Sequence, residues 1–486
     1  MRRTSRLLSA LALCAALIAG AAVAAGAPRA RPASAPELRD WPEFGLNPQR
    51  TDATGDSTGI TAGNLRRLSE RVVELPGTPD NSAIYLHGAL VDGARHDVAI
   101  VTTSYGITLA IDADSGAILW RFDPPGLASW QGSAQVTTAS PIAIGRYVYA
   151  TSPNGLVHKL AIADGHEAPG WPVSVTPAPK TEKMTPSLNV ADGELLAGTG
   201  GYDGDIPPYV GHLAAISLAS GRVVHVFNTL CSNRTTIIQP STCSASDSAI
   251  LSRSGPVVEP GARRVLIATG NAPYNGTTDF GDSLIELTLP DLRFRQAYTP
   301  TDQEHLNTGD VDFGSGSPAL LPGDLVVTGG KDGILRLLNL AALDGHPPGT
   351  APRTGGDVQD VPTPGGAEIF STPAVWDHLV FVATGGEGDG GGTAAYRVAG
   401  GRLHLIWQNQ NHGSSPILAG GLLYVYDIDN GGVFVYDPDS GHEIGELAAP
   451  AGHWNSPIVV DGHVIITTGD DNDHSTRGEL VIYSLR

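Results

Sequence analysis

The stretch LAIDADSGAILWRF, residues 109–122, reads as two short strands folded back on one tight turn. Asp112 supports the turn through its side chain, and Gly116 takes the positive φ that the reversal needs. The phrase returns as VFVYDPDSGHEIGEL at 433–447, with Asp437 and Gly441, and in weaker form as LAAISLASGRVVHVF at 213–227, where Ser217 replaces the Asp. Upstream of such hairpins run β-branched segments that end in small polar residues, such as VAIVTTS, VLIATG and VIITTGD. Upstream of those stands a Ser-Pro or Thr-Pro step, at Pro141, Pro186, Pro318, Pro373, Pro416 and Pro457, with looser copies at Pro256 (SGPVVE) and Leu90 (HGALVD). Proline is tolerated at the first residue of a strand because its missing N–H need not join the ladder there. Eight such openings, each leading into about four strands over roughly 40 to 60 residues, predict an all-β, eight-bladed β-propeller with four antiparallel strands per blade. The segment LSERVVELPG (68–77) precedes the first blade, and the last unit stops at LVIYSLR (480–486) without a fourth strand. The N-terminal strand is therefore expected to close the ring, leaving no unpaired sheet edge at the seam.

The rest of the composition agrees with one large repeat array. Gly and Pro make up about a fifth of the 486 residues without a collagen period, as many short strands and tight turns require. Residues 1–27 read as a cleaved signal peptide: Arg2, Arg3 and Arg6, an apolar run over 7–19, then Ala22-Val23-Ala24. Leu13 before Cys14 argues against a lipid-modified start. Residues 28–64 are then an N-terminal extension and 65–486 the propeller, in an exported, periplasmic or secreted protein. No later run is long and apolar enough for a membrane span. A formal charge of −20 repels phosphate backbones and anionic headgroups, so neither nucleic acid nor a membrane surface is an expected partner. A monomer is expected. Cys231 and Cys243 flank a Ser/Thr-rich stretch and, in an oxidising compartment, are expected to pair and staple one loop.

The phrase AIDADSGAILW at 110–120 resembles the A-x-D-x-x-[ST]-G-x-x-x-W repeat of quinoprotein alcohol dehydrogenases and of pyrroloquinoline-quinone (PQQ)-like propellers generally. The resemblance covers about residues 65–486 and implies the fold. It does not by itself imply activity, because outer-membrane assembly factors carry similar repeats and no cofactor.

In an antiparallel blade the start of the first strand and the end of the second lie at the same face. Asp203, Asn271, Lys331 and Asp470 follow second strands; Asp312, His412, His453 and Trp454 precede first strands, so all should face one mouth. Four of them sit in segments that resemble the dehydrogenase's functional stretches. LIATGNAPYNG implies a calcium- and cofactor-binding role for Asn271, and GGYDGDIPPYVGHLAAIS implies a calcium ligand at Asp203, where the family has Glu and where Asp205 competes. TPTDQEHLNTGDVDFGSGSP implies a catalytic Asp312, and GGKDGILRLLNL implies that Lys331 meets the quinone oxygens. Calcium takes hard oxygen ligands and acts as a Lewis acid; a carboxylate can accept the alcohol proton, and an ammonium can stabilise developing negative charge. The chain departs from the family in the plates that clamp the quinone. It has no adjacent cysteine pair, and the segment expected to carry the stacking tryptophan reads AILSRSGPVV. The carboxylate-rich GDDNDHSTRG (469–478) reads as a solvated turn. Two readings therefore stand: a PQQ- and calcium-dependent dehydrogenase of an alcohol or sugar-like small-molecule substrate with a degenerate cofactor site, or a non-catalytic scaffold that binds a periplasmic protein or small ligand.

Overall fold

The computed structural model describes residues 37–259, 261, 263–385 and 390–485; the expected signal peptide, including Cys14, lies outside them. The described residues form eight four-stranded antiparallel sheets with little helix, an eight-bladed β-propeller. We number the blades in chain order. Seven are built from consecutive strands, beginning at Ile84–Val91, Ile142–Ile144, Asn189–Ala191, Val257–Glu259, Ala319–Leu321, Ala374–Trp376 and Ile417–Ala419. In blade 8, Ile458–Val460, His463–Thr468 and Gly478–Ser484 are completed by Ser69–Leu75 from the other end of the chain, with Ser69 opposite Ser484 and Leu75 opposite Gly478.

Local chemistry produces the blades much as the turn residues suggest. Asp112 accepts from the backbone N–H and the hydroxyl of Ser115, and Asp437 does the same for Ser440. Gly116 and Gly441 adopt positive φ between those strands. Middle strands such as Arg264–Ala268, Leu422–Tyr426 and His463–Thr468 are buried along their length, because each sheet packs on a neighbour at both faces. Blade 1 differs from its expected opening: its first strand starts at Ile84, ahead of HGALVD, and its register with the second strand shifts between Leu86 and Ala89. Cys231 and Cys243 form a disulfide on a loop after blade 3. No helix among the described residues is long and apolar enough to cross a membrane.

The extension has a structural role that composition did not suggest. Its residues cross the end of the ring away from the predicted mouth, and their carbonyls accept from the inner strands in turn. Ala143 bonds to Pro42, Val258 to Pro48, Val375 to Thr51 and Leu418 to Asp52, while Trp41 exchanges two bonds with Tyr85. Asn189 donates to the Pro48 carbonyl, and Asp461 and Gly462 bond to Leu38 and Thr58. Arg50 is fully buried within this segment. Its guanidinium donates to the Glu43 carboxylate and to the carbonyls of Phe44, Leu188 and Ser254.

Candidate functional site

At the other face, the loops entering and leaving the inner strands enclose a cavity of about 440 Å3. Asp203, Asn271, Asp312, Lys331, His453 and Trp454 all line it, although they come from blades 3, 4, 5 and 8. His412 does not line it. That side chain lies beside blade 7 carboxylates, 3.3 Å from Asp427 and 3.0 Å from Asp429.

Asp312 is the best-held member, with 3% of its surface exposed. One carboxylate oxygen accepts from the backbone N–H of Asn271 at 2.8 Å, and the other lies 2.7 Å from Lys331 Nζ. The main chain is clasped as well, since Lys331 N–H donates to the Asp312 carbonyl at 3.0 Å. The close approach to Asn271 depends on Gly270, where a Cβ would stand 2.4 Å from Asp312 Oδ1. Burial works to lower the Lys331 pKa, but Asp312, Asp310 and Glu368 outweigh it and the ammonium is held above its ordinary value. Asp312 is thus fixed as an acceptor, with a permanent cation at one oxygen.

Asp203 lies exposed on the rim and Asp205 behind it, in left-handed backbone conformation, where the Tyr209 hydroxyl donates to it at 2.5 Å. Burial, together with repulsion from Asp312, Asp247 and Asp310, pushes the Asp205 carboxyl up to about 6. Behind Asp312, Asp282 is pushed up to about 7, first by burial and further by Asp312 and Asp332, despite hydrogen bonds from Phe313 N–H and Gln303.

The wall contributed by blades 8 and 1 was the least legible part. GDDNDHSTRG is only partly a solvated turn: Asp471 is buried at 1% exposure and faces the cavity. Lys183 lies 2.6 Å from it, and that ion pair, with His453 and Arg253 nearby, keeps the carboxyl well below the usual range against its burial. Asp80, Lys183 and Arg253 have no motif signal of their own. Only ring closure brings these positions together.

The residues can be tested against the groups that the family resemblance implies. Asp203, Asp205, Asp310, Asp312 and Asp471 line the cavity against Lys183, Arg253 and Lys331, so the lining carries more negative than positive side chains. Together with the Asn271 amide, this oxygen-rich wall fits a hard divalent cation, whose charge would relieve the mutual repulsion of the acids. Pyrroloquinoline quinone finds a less complete setting. Leu251 occupies the wall where the stacking tryptophan is expected, and the disulfide lies on a separate loop that does not line the cavity. Trp454, stacked on Phe370 with ring centroids 4.2 Å apart, offers one flat wall. The cavity volume is within the range of small-molecule sites.

A family model described as outer membrane protein assembly factor BamB matches residues 62–270 and 303–446. No curated protein matches the sequence. Among solved structures, the fold is similar to quinohemoprotein alcohol dehydrogenase from Comamonas testosteroni (15% identity, TM-score 0.64, 93% of this chain and 81% of that one). It is also similar to quinohemoprotein alcohol dehydrogenase ADHIIG from Pseudomonas putida HK5 (12%, 0.68, 92% and 80%). A europium-containing methanol dehydrogenase aligns at 14% identity with TM-score 0.66, over 92% of this chain and 98% of its own. At these identities the likeness is one of fold.

Proposed function

Since the chain belongs to the PQQ-like propeller family, we propose that its axial cavity is a quinoprotein-type site, reduced in its stacking plates but intact in its polar chemistry, that oxidises a hydroxylated small molecule in the periplasm or outside the cell. The observation that supports this reading is the buried Asp312 carboxylate, fixed between the Asn271 N–H and Lys331 at the wall of a small-molecule-sized cavity.

Asp312 is the base of this reading. Held at the cavity wall, it accepts the substrate hydroxyl proton while Lys331 keeps the resulting acid–base centre oriented. Asn271 and Asp203, with Asp205 in support, would hold calcium, and Lys331 would also meet the quinone's oxygens. When bound, PQQ supplies a two-electron acceptor and calcium a Lewis acid beside it. A tricarboxylate cofactor entering a net acidic cavity needs that cation first, so quinone binding should be calcium-dependent. With Trp454 as one flat wall and Leu251 opposite the expectation, binding should also be weaker than in a two-plate clamp.

Purified protein should be given PQQ with and without calcium, and dye reduction followed with a panel of alcohols and aldoses. The expected result is saturable, calcium-dependent quinone binding and turnover that falls by about 100- to 10,000-fold in Asp312→Asn. Failure to bind quinone at micromolar concentration with calcium present overturns the enzyme reading. The missing plates favour the second reading in that case: a non-catalytic, monomeric propeller that binds a periplasmic protein or small ligand at the same rim.

A further inference from the structure

Across the ring from Asn271 and Asp312, three carboxylates converge on one imidazole nitrogen. His453 Nδ1 lies 2.7 Å from Asp80 Oδ2, 3.6 Å from Asp470 Oδ1 and 3.7 Å from Asp471 Oδ1. A single ring N–H can satisfy one of these acceptors. Asp80 and Asp471 are 0% and 1% exposed, and each keeps an Oδ1 atom that is buried without a hydrogen-bond partner. Buried carboxylate oxygens normally accept from something, so two orphaned oxygens in one cluster point to a missing cationic partner.

The spacing is that of a coordination shell. Ligands about 2.1 Å from a common ion stand roughly 3.0 Å apart at right angles and roughly 3.4 Å apart in a tetrahedron. The separations around His453 bracket those values, and one ligand atom from each of the four residues falls within 4.8 Å of the others. The carboxylates are also held from outside, as metal-binding carboxylates usually are. Lys183 Nζ sits 2.6 Å from Asp471 Oδ2, and Asp80 Oδ2 receives the Asp471 N–H at 3.3 Å with Arg253 Nη2 3.5 Å away. Asn472 N–H donates to Asp470 at 2.8 Å. Lys183 and Arg253 balance two of the three carboxylates and leave one negative charge in a buried wall.

We propose that Asp80, His453, Asp470 and Asp471 bind a divalent first-row transition metal of the manganese-to-zinc class on the wall of the axial cavity. One imidazole nitrogen among carboxylates selects these ions over calcium, which takes oxygen-only shells. His453 binds through Nδ1 with its proton carried on Nε2. Because His453 and Asp471 line the cavity, a ligand lodged there can reach the ion's open coordination position. This site is independent of quinone binding and of Asp312.

The test uses the purified protein, stripped with EDTA and kept in saturating calcium. Cobalt should bind saturably at one per chain with a visible ligand-field band, and manganese should show magnetic coupling to one imidazole nitrogen by pulsed electron paramagnetic resonance. His453→Gln and, separately, the more accessible Asp470→Asn should weaken cobalt binding at least about 10-fold, whereas Asp203→Asn on the other wall should leave it within about twofold. Melting curves in EDTA establish that each variant is folded. Absence of saturable cobalt binding below 100 μM, loss of the nitrogen coupling from the wild-type spectrum, or undiminished affinity in both folded variants overturns the proposal.

Discussion

Asp282 carries a carboxyl group directly behind Asp312, where water cannot reach it, and its charge is therefore unwelcome in the folded chain. With its pKa pushed up to about 7 by burial and its acidic neighbours, against roughly 3.9 for an unfolded Asp, the folded state binds this proton more tightly. The resulting stabilisation is complete below about pH 4 and is lost as pH rises through 7. Asp282→Asn removes the titration and can keep the Phe313 N–H bond and the left-handed backbone that Asn tolerates. Melting curves should show the variant gaining on wild type by roughly 3 °C between pH 5 and pH 8.5, whatever its constant offset; an unchanged difference would mean that Asp282 is not protonated near neutrality. Legibility differed sharply from residue to residue at this scale. Asn271, Asp312 and Lys331 stood out because each sits in a short phrase that resembles a functional stretch of the dehydrogenase family. Asp471 was taken for a surface turn because the Lys183 that buries it lies in another blade, and nothing within GDDNDHSTRG announces that partner.

Among the elements, the extension at 37–64 is the one whose energetics depend most on a single side chain. Arg50 satisfies three main-chain carbonyls and the buried Glu43 carboxylate from a fully buried position. Removing the cation leaves Glu43 uncompensated and three carbonyls without their donor, a loss of about 3–5 kcal/mol. Arg50→Met should lower the denaturant midpoint accordingly, and adding Glu43→Gln should restore part of it; a midpoint unchanged in the single variant would show that the segment contributes nothing to stability. The blades themselves were readable because strand openings and hairpins rest on nearest-neighbour chemistry, as Asp112 with Ser115 shows. The extension was not readable in that way. Apart from those of Arg50 and Asn189, the bonds described above are main-chain bonds to distant strands, and carbonyl partners leave no trace in residue identity.

For the molecule as a whole, the seam in blade 8 decides whether the ring behaves as one unit. Val73 lies opposite Leu480 in the closing strand and packs with Leu75, Ile465 and Ile482 in the core that joins the two chain ends. Val73→Asp places a carboxylate there, and we expect it to lower the melting temperature of the entire chain in a single transition, with near- and far-ultraviolet circular dichroism changing together. A separate early transition would mean that the seam frays by itself. Closure also explains how one side-chain cluster can gather positions as far apart as Asp80 and Asp471 around His453.

The segment that threads the far end of the ring carries a kinetic implication. It precedes every blade in the chain, so it leaves the ribosome before any of them. Yet the partners of Leu38 and Thr58, at Asp461 and Gly462, belong to the last sheet. Those seats do not exist until nearly the whole polypeptide has emerged, so the earliest residues must wait, undocked, while the others assemble. Their final insertion then acts as a latch that only a completed circle can accept, and a chain halted partway through synthesis would remain open to chaperones and proteases.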